Sequence, residues 1–240
     1  MDAATISPSL LGYSKARNEA PPRHFGRRYD AGGAFLPEPG NTIVCHLVSG
    51  TETERALAEA RLRYLAMPEA GQLAVTPLSS LHMTLFQGII EYRRSEGYWP
   101  ADVPLDTPID DMTAILGQRL QGFAPGPAYR MKVVEALPTG LTLEGATASD
   151  RLALREWRDR LADLFGYRHP DHDDYVFHIT FAYVIDWFEE EALQRWQVML
   201  REVAEDIRRR APVLDLKPPA FCSFEDMNHF EELMVLPVRA

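Results

Sequence analysis

Two short apolar segments of this chain carry the same polar pair at the same spacing. They read Leu81-His82-Met83-Thr84-Leu85-Phe86 and Phe177-His178-Ile179-Thr180-Phe181-Ala182, the second inside a β-rich run over 175–184. Side chains along a strand alternate faces, so residues two apart point the same way. His82 and Thr84 therefore share a face, and Leu81, Met83 and Leu85 take the other. His178 and Thr180 share a face against Phe177, Ile179 and Phe181. Each apolar set needs helices to pack on. Strands this apolar belong in the middle of a sheet, so each polar pair is expected to face a cleft.

The elements around the two motifs occur in a loosely repeated order. A β-rich run over 42–48 ends at Ser49-Gly50. Thr51 and Glu54 then form a capping-box pattern at the start of a helix that Pro68 stops. Beyond the first motif, 92–106 reads as an inserted loop. Thr107-Pro108 opens a helix with Asp110 and Asp111 in its first turn, where carboxylates favour the helix dipole. Strands over 129–137 and 141–144 flank a Pro138-Thr139-Gly140 turn. In the second half, Leu154, Trp157, Leu161 and Leu164 recur at helical spacing and Gly166 ends the helix. The second motif follows. Asp186 and Glu189 make another capping pattern, and Leu193, Trp196, Leu200, Val203 and Ile207 form an apolar stripe. Strands near 221–224 and 233–238 finish the chain.

This order predicts an α+β fold: bilobal, with two pseudo-symmetric antiparallel sheets each covered by helices and a cleft between them. The domain spans 41–240, with lobes of about 41–145 and 146–240. Residues 1–40, rich in Pro, Gly and Arg, read as an arm. The aromatics Tyr13, Phe25, Tyr29 and Phe35 would lay it on the domain.

Composition narrows the function. No apolar run approaches the roughly 20 residues of a membrane span, and the first 14 residues do not have the pattern of a signal peptide. Cys45 and Cys222 sit far apart in apolar segments, which suggests buried thiols and a cytoplasmic setting. The net charge of −10 argues against holding long nucleic acid by its backbone. It leaves room for one phosphate held by local arginines, for which Arg27, Arg28, Arg93 and Arg94 are candidates. A monomer with no cofactor and no metal is the expected state.

Two histidines, one on each side of a phosphodiester, serve as base and acid in the same step. Hydroxyls beside them hydrogen-bond non-bridging oxygens and hold phosphorus in line. His82-Met83-Thr84-Leu85 and His178-Ile179-Thr180-Phe181 resemble the paired signature of the two-histidine (2H) phosphoesterase superfamily, which includes RNA-ligase-like and cyclic phosphodiesterase enzymes. The resemblance covers roughly 41–240. It implies a pseudo-twofold α+β fold, a metal-free site between the lobes, and His82, Thr84, His178 and Thr180 as its catalytic groups. The expected substrate is a cyclic or 2′–5′ phosphodiester of a nucleotide or RNA end. The arm and the 92–106 insertion depart from the smaller members.

Further residues are candidates for substrate contact. Phe86 continues the first cleft-facing row and could stack on a base or lie in the core. His46 could line the cleft or be a satisfied histidine, and Arg28 could hold a phosphate. Tyr183 falls on the opposite face from His178 by parity. His169-Pro170-Asp171-His172-Asp173-Asp174 is dense in potential metal ligands and is also an ordinary turn sequence. Asp226-Met227-Asn228-His229-Phe230 reads as a turn. Two readings therefore compete with the phosphodiesterase: a metallohydrolase built on 169–174, and a non-catalytic nucleotide-binding module.

Overall fold

The computed structural model describes residues 6–239; the first five residues of the arm and Ala240 lie outside them. Five helices and nine strands follow one another as α1 (Pro8–Leu11), β1 (Gly40–His46), α2 (Glu52–Leu65), β2 (Leu73–Val75), β3 (His82–Ile90), α3 (Ile109–Arg119), β4 (Met131–Leu137), β5 (Gly140–Gly145), α4 (Ala148–Phe165), β6 (Phe177–Thr180), β7 (Ala182–Val184), α5 (Glu190–Arg210), β8 (Ala220–Phe224) and β9 (Glu231–Val235). The fold is α+β. Seven strands make one antiparallel sheet in the order β4-β5-β6-β3-β1-β8-β9, and β2 pairs with β7 in a small second sheet.

The helices begin and end where local chemistry satisfies their free backbone groups. At α2 the Thr51 hydroxyl accepts the Glu54 amide, and the Glu54 carboxylate accepts the Gly50 amide. At α4 Thr147 and Asp150 cap each other reciprocally, and Gly166 closes the helix in the left-handed conformation. The pattern at Asp186 and Glu189 does not cap α5: Glu189 makes no side-chain cap bond, and the Asp186 carboxylate accepts the Trp187 amide instead. The long α5 buries the predicted stripe against α2 and β4. Helix α4 covers β5 and β3, and α3 covers β1 and β3. Met83, Leu85 and Ile179 are fully buried in the same core as these helices.

Two features differ from the expected pair of sheets. The halves join into one sheet through a single residue pair, Met83 with Ile179. Their strands also interleave, so strands from both 41–145 and 146–240 lie on each side of the β3–β6 junction. The β4–β5 hairpin pairs with β6 beside the second motif, and the β8–β9 hairpin pairs with β1 on the first-motif side. Strand β1 is buried along nearly its whole length and needs bonded neighbours on both edges, which β3 and β8 supply.

The arm lies along the β2–β7 side. The Tyr29 hydroxyl donates to the Val184 carbonyl at 2.6 Å, Tyr13 and Thr139 share a hydroxyl bond at 2.8 Å, and the Lys15 amide donates to Phe188. The inserted loop is tied by Arg94, which bonds Glu91 and the carbonyls of Leu105 and Thr107, and by its own Trp99, which is buried and donates to the Pro104 carbonyl.

Candidate active site

The sheet face turned away from α3, α4 and α5 opens into a cleft of about 510 Å³, lined by His82, Thr84, His178 and Thr180 together. The strand pairing explains why they meet. Extending the antiparallel register one residue either side of Met83 and Ile179 sets His82 across from Thr180 and Thr84 across from His178. The outer neighbours continue these rows, with Thr142 opposite His178 and Gly140 opposite Thr180.

Both imidazoles are held in the same way. His82 Nδ1 lies 2.7 Å from the Ser80 carbonyl, and His178 Nδ1 lies 2.9 Å from the Val176 carbonyl. A carbonyl only accepts, so each Nδ1 carries the proton and each Nε2 is left free. Each histidine thus uses the backbone two residues upstream to fix its tautomer. Ser80 is fixed in turn by its hydroxyl, which donates to the Met227 carbonyl at 2.7 Å. The Phe230 ring packs on His82 with centroids 4.2 Å apart. The segment over 226–230 is largely a turn, as its composition suggests, and Phe230 at its end reaches His82, a contact for which the sequence pattern carries no signal.

Other predicted contacts are redistributed. Phe86 is 0% exposed and packs on Phe165, Tyr167 and Arg158, so it does not stack in the cleft. The reason is a bulge: Ile43 pairs with Phe86 but Val44 pairs with Thr84, leaving Leu85 extra. One extra residue reverses the faces of those beyond it. Gln87, not Phe86, then lines the cleft. Tyr183 also lines it, against the parity argument, because the run over 175–184 is not one strand. It breaks at Phe181, where the Thr139 carbonyl accepts the amides of both Phe181 and Ala182 and the Thr76 hydroxyl bonds the Thr180 and Phe181 carbonyls. His46 is not part of the cleft lining. Its ring stands edge-on to His82 at 5.9 Å, and its Nδ1 is 3.0 Å from Glu232 Oε1. That contact is out of line for a good hydrogen bond, and burial lowers the His46 pKa, which disfavours the charged ring an ion pair needs. Arg28 and Arg93 do line the cleft, whereas Arg94 ties the inserted loop and Arg27 is exposed.

Burial pushes the His82 pKa down from 6.5 to about 3, against the pull of the Ser80 carbonyl, and the neighbouring His46 and His178 rings lower it further. His82 is therefore neutral at pH 7, with Nε2 a ready acceptor. The depressed value also links to stability. The unfolded chain takes the proton first, so the contribution is present above about pH 6.5 and is lost as pH falls toward 3. Imidazole nitrogen NMR is expected to show His82 protonated at Nδ1 alone, with no titration between pH 5 and 8; a midpoint near 6.5 would contradict this.

The run over 169–174 does not gather into a ligand set. His169 and His172 are 4% and 5% exposed, and His172 Nε2 bonds the Asp159 carboxylate at 2.9 Å. Among the described residues no three His, Cys, Asp or Glu side chains are grouped to hold a metal ion. The metallohydrolase reading therefore has no built site. The Cys45 and Cys222 thiols are buried, and burial raises each pKa to about 12. No helix of the described residues is long and apolar enough to cross a membrane.

The family model 2H-phosphodiest, described as Domain of unknown function (DUF1868), matches residues 28–142, a span that contains His82 and Thr84. The chain belongs to the 2H phosphoesterase superfamily. This 2H chain is also similar over nearly its whole length to a solved structure, the conserved protein of unknown function ATU0111 from Agrobacterium tumefaciens str. C58. The two share 56% sequence identity over 96% of this chain and 99% of that one, with a TM-score of 0.95. No curated protein matches it. Membership in the 2H superfamily supports phosphodiesterase-type chemistry in general.

Proposed function

We propose that this protein hydrolyses a cyclic or 2′–5′ phosphodiester of a nucleotide or RNA end by paired-histidine acid–base catalysis. The observation that carries the reading is the matched pair of imidazoles on adjacent strands, each with Nδ1 bound to the backbone and Nε2 free. A phosphorus atom between them would meet one free nitrogen from each side. His82, held neutral by burial, is the base that takes the proton of the attacking water. The acid's role then falls to His178, which donates a proton from Nε2 to the leaving oxygen. The hydroxyls of Thr84 and Thr180 hydrogen-bond the non-bridging oxygens, where negative charge builds in the transition state.

The reaction balances without an outside reagent. Water oxygen forms the new bond to phosphorus, the ester bond breaks, and one proton passes to His82 while another leaves His178. The same cleft could bind a nucleotide without turning it over, and turnover separates the two cases. The test is release of phosphomonoester from 2′,3′-cyclic nucleotides and 2′–5′ dinucleotides by the full chain, with and without a chelator. Turnover that survives chelation is the expected result. Turnover that needs an added divalent metal, or none on any of these substrates, overturns the proposal.

A further inference from the structure

Resting on the phosphodiesterase reading, we propose that the arm end of the cleft is a second anion subsite, built from Arg93, Arg28 and Arg23, and that the substrate carries a phosphate there in addition to the phosphodiester between the histidines. The three guanidiniums reach the cleft from two segments absent from a minimal repeat: Arg23 and Arg28 from the arm, Arg93 from the loop after β3. They collect on a chain whose net charge is −10. Among the described lining residues Asp171 is the one acid, and it is exposed.

The three cations are not equally compensated. Arg28 is paired with Glu38 through bonds of 2.5 and 3.1 Å and lies over the Tyr183 ring at 5.0 Å. Arg93 is half-buried and pairs with no carboxylate among the described residues. It donates to Gln87 Oε1 at 3.0 Å and to the Gly88 carbonyl at 3.3 Å, its Nε is buried without a partner, and its plane lies over Tyr98 at 4.7 Å. Arg23 is exposed and makes no hydrogen bond or ion pair with a described residue. A partly buried cation with no counter-ion is costly, and an anion from outside relieves it. Arg23 keeps its edge for the paired bonds that phosphate oxygens accept, and Arg93, stacked on Tyr98, keeps one N–H on each terminal nitrogen beyond those given to Gln87 and Gly88. The fields add up at His24, whose pKa falls to about 3 through burial and then through Arg28, Arg23, Arg93 and Arg27.

Spacing calls for a second group rather than the same one. Arg93 holds Gln87, which lies opposite Thr42 while Thr84 lies opposite Val44, two ladder positions or roughly 7 Å away at ~3.3 Å per residue. One phosphate does not span that. A cleft of about 510 Å³ is of a size for a small nucleotide. The second phosphate is either the 5′-phosphate of a mononucleotide or the next internucleotide phosphate of an RNA end.

Two measurements on the full chain test this. In the first, inorganic phosphate is titrated calorimetrically into Thr84→Val/Thr180→Val protein, alone and combined with Arg23→Gln or Arg93→Gln. Binding that persists without the threonine hydroxyls and weakens at least fivefold with either arginine change is expected. Binding that vanishes with the threonines and ignores the arginines overturns the subsite. In the second, kcat/KM is compared for adenosine 2′,3′-cyclic phosphate, its 5′-phosphorylated form and a dinucleotide with a cyclic end. Wild type is expected to favour one phosphate-bearing form at least tenfold, and which one identifies the source. Arg23→Gln and Arg93→Gln bring the ratio toward one. Arg23 bonds no described residue, so its variant reports even if Arg93→Gln does not fold. Turnover of all three at equal efficiency overturns the subsite. No turnover of any, with arginine-dependent phosphate binding intact, overturns the phosphodiesterase reading alone.

Discussion

Alanine at His82 or at His178 is expected to lower kcat/KM for a cyclic phosphodiester by about 10²–10⁴, the usual contribution of one general acid or base. The loss is that large because hydrolysis needs a proton taken and a proton given in one displacement, and each histidine has one free nitrogen for one role. The roles separate by pH. With His82→Ala the remaining activity should rise with hydroxide, which replaces the missing base. With His178→Ala substrates carrying a better leaving group should recover most. Valine at Thr84 or Thr180 keeps the shape and removes a hydroxyl, costing about 2–4 kcal/mol of transition-state stabilisation by analogy with one lost oxyanion donor. Steady-state kinetics on the four single variants check the order. A threonine variant slower than both histidine variants would reverse the assignment of roles.

The Gly140→Ala variant is expected to be the most damaging single methyl group near the site. Gly140 has φ of 138° and pairs with Thr180. A Cβ there would lie 2.1 Å from the Ile179 carbonyl oxygen and 2.8 Å from the Phe181 nitrogen. Both are backbone atoms of the second motif, so no side chain can swing aside. Overpacking of this kind costs about 1–3 kcal/mol and the strained backbone about 1–3 more. Urea denaturation should show a loss of roughly 2–6 kcal/mol. Activity should fall with it, because relief of the clash moves Thr180. A variant within ~1 kcal/mol of wild type, in the range of an ordinary surface change, would show that β5 and β6 do not meet as closely as described.

How much of this was legible in the sequence depends on how local the cause is. The motif histidines and threonines were readable because strand alternation is local and both segments are apolar on the other face. The helix of α4 was readable because Leu154, Trp157, Leu161 and Leu164 recur at helical spacing and Gly166 closes it. Phe86 and Tyr183 were misplaced for a common reason. Parity holds only along an unbroken strand, and neither the bulge at Leu85 nor the break at Phe181 is marked by glycine or proline. Each is set by a partner far along the chain, β1 in one case and the Thr139 carbonyl in the other. The interleaving of β4–β5 with β6 is likewise a matter of long-range pairing, which composition and periodicity do not carry. The cleft arginines could be named as candidates, but separating Arg28 and Arg93 from Arg27 and Arg94 required knowing what each side chain reaches.

The most direct test of the central claim, that the two His-x-Thr pairs make one site, is kcat/KM of the His82→Ala/His178→Ala double variant beside the two single variants on one cyclic phosphodiester. Groups that act in the same step are strongly non-additive, so removing the second costs little once the first is gone. The double variant is expected to lie within about tenfold of the slower single variant, well short of the product of the two losses. Losses that multiply, or a single variant that keeps wild-type turnover, would contradict the account.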